Sequence, residues 1–254
     1  HSNKNVLDAM KKQMEKSTFG YRLHFENEPA EQLAKKVSEL SPDGHEKVFF
    51  VSGGSEAVES AIKLARQYAY AKGDHKKSKV ISRSPSYHGA TFGALALTSY
   101  APLNDPFKAM TMDMPHIPSP TCYLDRDNFT LEERGLKYAE MLKEKIIEEG
   151  PENILAFIME PIGGASTGAL VAPDRYYGRI RDICDEFDIF LIYDEVMTGV
   201  GRTGKFLAAE HWNINPDIIA TAKGFGAGYV SLGAMTAKQN IVDTVFDAGG
   251  FQHG

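Results

Sequence analysis

Two unbroken apolar runs, each ending on an acid, constrain this chain more than anything else in it. Ile154-Leu155-Ala156-Phe157-Ile158-Met159 stops at Glu160-Pro161, and Ile189-Phe190-Leu191-Ile192-Tyr193 stops at Asp194-Glu195. Neither run alternates apolar with polar residues, as a strand with one wet face does. Runs this short and continuous read as strands covered on both faces. A third run, Ile218-Ile219-Ala220, delivers Lys223 in the same way.

Helical patterns fill the spaces between the strand patterns. Residues 5–16 repeat Val6, Met10 and Met14, and residues 28–40 place Leu33, Val37 and Leu40 on one face, with Phe19-Gly20-Tyr21-Arg22 as a break between them. A strand at 47–51 runs into Ser52-Gly53-Gly54-Ser55 and then a helix burying Ala57, Ala61, Leu64 and Ala65. A strand at 79–82 follows. Residues 100–129 hold Pro102, Pro106, Pro115, Pro118 and Pro120, which excludes long helices there. Residues 131–149 form a charged amphipathic helix, residues 176–187 another, and residues 232–236 a last short strand. Buried strands alternating with amphipathic helices predict an α/β fold, a mainly parallel sheet flanked by helices with right-handed crossovers. Residues 1–45 read as a helical lead-in and residues 46–254 as one large domain.

The bulk properties exclude several classes of protein. A chain of 254 residues with 43% apolar and 24% charged residues buries a full core. A net charge of −6 gives no footprint for nucleic acid or an anionic membrane. No apolar run approaches the roughly 20 residues needed to span a bilayer, and the polar start HSNKNVLDAM is no signal peptide. Two cysteines, Cys122 and Cys184, fit a reducing compartment, so a cytoplasmic location is expected. The start at His1 and the stop at FQHG read as cuts inside a longer protein.

The chemistry concentrates past the strand ends, where open α/β sheets bind ligands. Asp194 and Lys223 both stand there. A lysine amine paired with a carboxylate suggests a carbonyl cofactor held as an imine, its ring nitrogen facing the acid, and that cofactor is pyridoxal 5'-phosphate. The bland alternative for Lys223 is a surface lysine beside a glycine loop. Gly53-Gly54-Ser55 between a strand and a helix fits an anion cradle, with Ser52 or Ser55 as a plain N-cap the alternative. The turn is neither a Walker loop nor GxGxxG. Tyr87-His88, also past a strand end, offers a ring for stacking on a flat cofactor, or else a half-buried tyrosine and a surface histidine. No Cys, His or acid stands at ligand spacing from His88, so no metal site is expected. Glu160, a carboxylate closing a buried strand, needs a partner or a task.

Five stretches, FFVSGGSEAVESAIKLAR, SYHGAT, AFIMEPIGG, LIYDEVMTGVGRTG and PDIIATAKGFGAGYVSLGA, resemble in content and order the class III (ω-amino acid) aminotransferases, pyridoxal-phosphate enzymes of fold type I. The resemblance implies that Lys223 carries the cofactor and shuttles protons, and that Asp194 pairs with the ring nitrogen. Gly53, Gly54 and Ser55 align with the phosphate turn, Tyr87 with the stacked aromatic and His88 with its neighbour. Val196 aligns with the apolar residue on the ring's other face, and Glu160 with the acid that positions that site. The expected activity is transfer of an amino group from an amine or ω-amino acid donor to an oxo-acid acceptor, by a homodimer with sites at its interface.

Two departures stand out. Met197 replaces a common glutamine that reaches the cofactor's phenolic oxygen, and a thioether gives no such hydrogen bond. Ala165 stands where the ornithine- and GABA-type members carry a glutamate, which tilts the acceptor toward pyruvate. The family's partner-reaching threonine, its small C-terminal domain and most of its N-terminal segment are expected outside this sequence. A decarboxylase or aminomutase with the same lysine and aspartate, or a non-catalytic fragment, is the alternative.

Overall fold

The structure, a computed structural model, describes residues 1–21 and 24–253. Arg22, in the expected break after the first helix, and Gly254, at the end of the expected large domain, lie outside the described residues. Seven strands form one sheet: β1 (Lys47–Val51), β2 (Lys79–Ser84), β3 (His116–Pro118), β4 (Ile154–Met159), β5 (Phe190–Asp194), β6 (Ile218–Thr221) and β7 (Gly233–Ala237), in the order β1-β7-β6-β5-β4-β2-β3. The α-helices among the described residues are α1 (Lys4–Lys16), α2 (Glu28–Leu40), α3 (Gly54–Ala71), α4 (Phe92–Leu97), α5 (Ala101–Asn104), α6 (Leu131–Glu149), α7 (Asp174–Glu186) and α8 (Gln239–Asp247). None is long and apolar enough to cross a membrane.

Strands β3, β2, β4, β5 and β6 are mutually parallel, as the crossover pattern predicts. The exception is β7, which runs antiparallel to both β6 and β1. Reversing β7 returns β1 to the direction of the parallel set. The carboxyl ends of β1, β2, β4, β5 and β6 therefore open on one edge of the sheet. Short strand β3 and helix α8 are absent from the sequence reading. Only Ile117 of β3 is buried, so three residues carry too little pattern to read.

Up to the terminal Asp194 of β5 and Thr221 of β6, the central strands β4, β5 and β6 are apolar throughout because both faces are covered. In β5, Leu191 and Tyr193 pack with Phe157 and Met159 of β4 against Leu142 of α6 and Ile180 of α7. Ile192 and Ile158 point the other way, onto Ala57, Ala61 and Leu64 of α3. The two-residue alternation of direction thus survives where the alternation of polarity does not. Each such fully buried side chain contributes roughly 1.5–3 kcal/mol. Small residues at Ala57, Ala61, Ala65 and Ala69 let α3 lie close on the sheet. Helix α2 packs on β1, whereas α1 buries no residue at all.

A charged latch fixes the entry to β6. The Asp217 carboxylate accepts from Arg181 at 2.8 Å, from Lys238 at 2.7 Å and from the Leu191 amide at 2.7 Å. Burial alone pushes its carboxyl up, but Arg181 and Lys238 outweigh that and hold it below its ordinary 3.8. A depressed carboxyl stabilises the fold above its unfolded value, and the contribution is lost as pH falls through the folded value. Asp217→Asn should therefore lower stability at neutral pH and flatten the acid limb of the stability profile, read by urea unfolding from pH 7 downward.

Candidate active site

Five strand ends on one edge bring the expected residues together. A cleft of about 130 Å³ is lined by Gly54, Ser55, Tyr87, His88, Glu160, Asp194, Val196 and Lys223. Of the residues expected to bind the cofactor, Gly53 alone does not line it; it is the cap residue just before α3. Met197, Thr198, Gly89 and Ile162 complete the wall.

The glycine turn settles the capping alternative. Gly53 occupies the cap position in extended backbone, and no side chain accepts a hydrogen bond from the first turn of α3. Ser55 Oγ instead accepts from the Ala90 amide at 3.0 Å, and the Ser52 amide donates to Glu56 Oε2 at 2.8 Å. The 18-residue helix therefore opens bare onto the cleft, with its first amides and positive dipole end free for an anion. Glycine is required at position 54, because a Cβ there would stand 2.7 Å from Val196 Cγ1. That contact is how the end of β5 and the start of α3 come to share a wall.

Asp194 is 5% exposed and His88 2%, so the histidine is a core residue rather than the surface one the bland reading allowed. His88 Nδ1 lies 2.8 Å from Asp194 Oδ2, and the Val196 amide donates to Oδ1 at 3.1 Å. A carboxylate only accepts, so the bonded Nδ1 carries the proton. His88 Nε2 is buried without a partner among the described residues. The arrangement fixes the Asp194 carboxylate against rotation and leaves it facing the cleft.

Glu160 braces two loops. Its Oε1 accepts from the Gly164 amide at 2.9 Å and its Oε2 from the Tyr87 amide at 3.3 Å. Buried Arg83 donates to the Glu160 carbonyl from beneath. Lys223 follows β6 directly, in left-handed backbone at φ 47°, with no side-chain hydrogen bond or ion pair among the described residues. Its amine is exposed to the cleft and unengaged. Met197 stands at the rim, half in solvent.

Two supporting residues escaped the sequence reading. Arg83 is one: it lies just past the strand expected at 79–82, and only the longer β2 observed here includes it. Glu195 is the other, fully buried beside Asp194. It accepts from Thr198 Oγ1, from the Ala208 amide at 3.0 Å and from the Ala209 amide at 2.8 Å. Burial pushes its carboxyl above the ordinary range, and these hydrogen bonds partly hold it back. Glu195 thereby folds the glycine-rich turn back over the end of β5. Gly199 permits it, since a Cβ there would stand 2.7 Å from the Glu195 carbonyl oxygen.

The family model described as "Aminotransferase class-III" matches residues 1–254, and the chain belongs to that family. It is 39% identical over 251 residues to the uncharacterised aminotransferase YodT of Bacillus subtilis, covering 98% of this chain and 56% of that protein. It is 35% identical to the putrescine–pyruvate aminotransferase of Pseudomonas aeruginosa, covering 100% of this chain and 56% of that one. Among solved structures, the ω-transaminase of Pseudomonas jessenii in complex with PMP superposes with a TM-score of 0.94 at 32% identity, over 100% of this chain and 57% of that one. The chain thus spans about half the length of the curated relatives it matches.

Removing the Glu195 carboxylate leaves three donors unpaired in a dry pocket. Glu195→Ala should destabilise the fold by roughly 2–4 kcal/mol, read by urea unfolding, with no change for the exposed control Glu148→Ala.

Proposed function

We propose that this chain is the cofactor-binding part of a pyridoxal-5'-phosphate-dependent aminotransferase that moves an amino group from an amine or ω-amino acid to an oxo acid such as pyruvate. One observation carries the reading: a buried, immobilised carboxylate, a free lysine amine and a bare helix N-terminus face the same cleft. Each fits one part of that cofactor: the carboxylate its ring nitrogen, the amine its aldehyde, the helix end with Ser55 its phosphate. Tyr87 and Val196 supply the side chains to pack on the ring, with Gly53 and Gly54 forming the turn that lets α3 approach.

When bound, the cofactor supplies an electron sink for the carbon that loses a proton. The protein does the rest. Asp194 keeps the ring nitrogen protonated through its charge, and the His88 Nδ1–H and the Val196 amide hold it in place for that task. Lys223 would hold the cofactor through its amine, and its Nζ is the group placed to take up and return a proton in the cleft. Glu160 holds the Tyr87 backbone amide at the cleft wall. Met197 offers packing and no hydrogen bond.

The proposal includes a homodimer. It also includes a division into a lead-in over residues 1–45 and a large domain from residue 46 that continues into a smaller one, which the coverage of about half of each relative supports. A cytoplasmic location belongs to it as well, in keeping with the free, buried Cys122 and Cys184. The pyruvate acceptor is supported by a relative that uses it and by Ala165, which adds no charge to the loop after Glu160.

Borohydride reduction of the full-length protein with cofactor, followed by peptide mass mapping, should place the label on Lys223; a label on any other lysine overturns the assignment. Asp194→Asn should slow the first half-reaction at least about a hundredfold and weaken cofactor retention, with the melting temperature of the cofactor-free protein little changed. A half-reaction at the wild-type rate removes Asp194 from the site.

A further inference from the structure

The loop after β4, residues 161–172, borders the cleft through Ile162, and Tyr177 of α7 holds it at both ends. The fully buried Tyr177 hydroxyl donates to the Pro161 carbonyl at 2.8 Å and accepts from the Ala172 amide at 3.2 Å. A phenol can do both at once, whereas a phenylalanine of the same shape would leave a carbonyl and an amide unpaired in a dry site. Beyond that clasp the Gly163 amide donates to the Leu170 carbonyl at 2.8 Å, and Ile162 and Val171 form an antiparallel bridge. The Gly164 amide then donates to Glu160 Oε1 at 2.9 Å, and Glu160 Oε2 holds the Tyr87 amide. A chain of contacts thus runs from a phenol outside the cleft to the backbone of Tyr87 inside it.

The ring of Tyr177 makes a second connection. It stacks on Trp212, with centroids 3.7 Å apart and planes 17° from parallel. Trp212 ends the short turn Ala208–Trp212, whose Ala208 and Ala209 amides are held by Glu195, and its Nε1 donates to Asp174 Oδ1 at 3.0 Å. The segment after β5 therefore leans on the same side chain that clasps the loop after β4. The two segments also meet at the cleft, where a Cβ on Gly164 would stand 2.9 Å from Met197 Sδ.

We infer that Tyr177 is a positioning residue for the site: its hydroxyl sets the loop after β4, its ring joins that loop through Trp212 to the segment after β5, and the two walls keep their places at the cleft as one unit. The coupling of the two segments stands on these contacts alone, and its consequence for cofactor binding rests on the aminotransferase reading above.

Tyr177→Phe keeps the ring and its stack and deletes the hydroxyl. In the full-length protein without cofactor, amide hydrogen exchange over residues 162–171 should speed up about tenfold, the worth of one lost hydrogen bond, with β4 and β5 protected as before. Tyr176→Phe is the control, since it removes from the same helix a buried hydroxyl that bonds to nothing in the loop; loop exchange should stay as it was. Trp212→Leu removes the stack and should speed exchange over residues 162–171 and over residues 198–207 together. Loop exchange unchanged in Tyr177→Phe, raised equally in Tyr176→Phe, or raised in Trp212→Leu only after β5 overturns the inference. Calorimetric titration with pyridoxal 5'-phosphate then reads the site: Tyr177→Phe should raise the Kd about tenfold and Tyr176→Phe should leave it. A merely structural role would lower the urea midpoint of Tyr177→Phe with the Kd unmoved, and that result removes Tyr177 from positioning. A wild-type protein that binds no cofactor, with the loop still loosened by Tyr177→Phe, keeps the clasp and overturns the aminotransferase reading instead.

Discussion

Everything in this protein depends on the sealing of its central strands. β4, β5 and β6 are covered by α3, α4 and α8 on one face and by α6 and α7 on the other, and every residue of β4 and β6 is buried. A polar side chain within those strands would need an internal partner. Polar chemistry is thereby driven to the strand ends, where the backbone leaves the sheet and meets solvent. The reversal of β7 sends β1 in the same direction as the parallel set, so the glycine turn opens onto the same edge as Asp194 and Lys223.

At that edge the acids divide the work according to what holds them. Asp194 is gripped by His88 and one amide yet keeps a face toward the cleft. Its neighbour Glu195 turns inward, spends its hydrogen-bonding capacity on Thr198 and two amides, and shapes the loop that carries Val196 and Met197. Glu160 ties the Tyr87 loop to the Gly164 loop. Three carboxylates close two neighbouring strands: Asp194 faces the cleft, Glu195 turns into the core and Glu160 ties two loops together. Lys223 differs from all three in being unengaged among the described residues.

Much of this was legible in the residues. The apolar runs at 154–159 and 189–193 predict β4 and β5 closely, because a strand sealed on both faces leaves an unmistakable pattern. Helices at 28–40 and 131–149 follow from spacing and punctuation. The structure places both as expected and adds a Thr130–Glu133 capping box at the start of the second. The short strand β3 and the helix α8 were not legible, since one is only three residues long and the other presents just Ile241 and Val245 to the core. Nor was the division between Asp194 and Glu195. Adjacent acids look alike until the partners that claim each one are known, and Glu195 finds its amides thirteen and fourteen residues further on.

By itself the sequence determined which segments are buried, where the backbone must turn, and which chemical groups stand at the turns, because apolar periodicity and glycine placement are local properties. Tertiary structure alone decided that β7 runs backward, that α3 opens without a cap, that His88 is a buried partner of Asp194, and that the Tyr177 hydroxyl clasps both ends of the loop after β4. Those are relations between residues distant along the chain. They depend on which surfaces meet when two faces of one sheet are covered, and no local pattern encodes that.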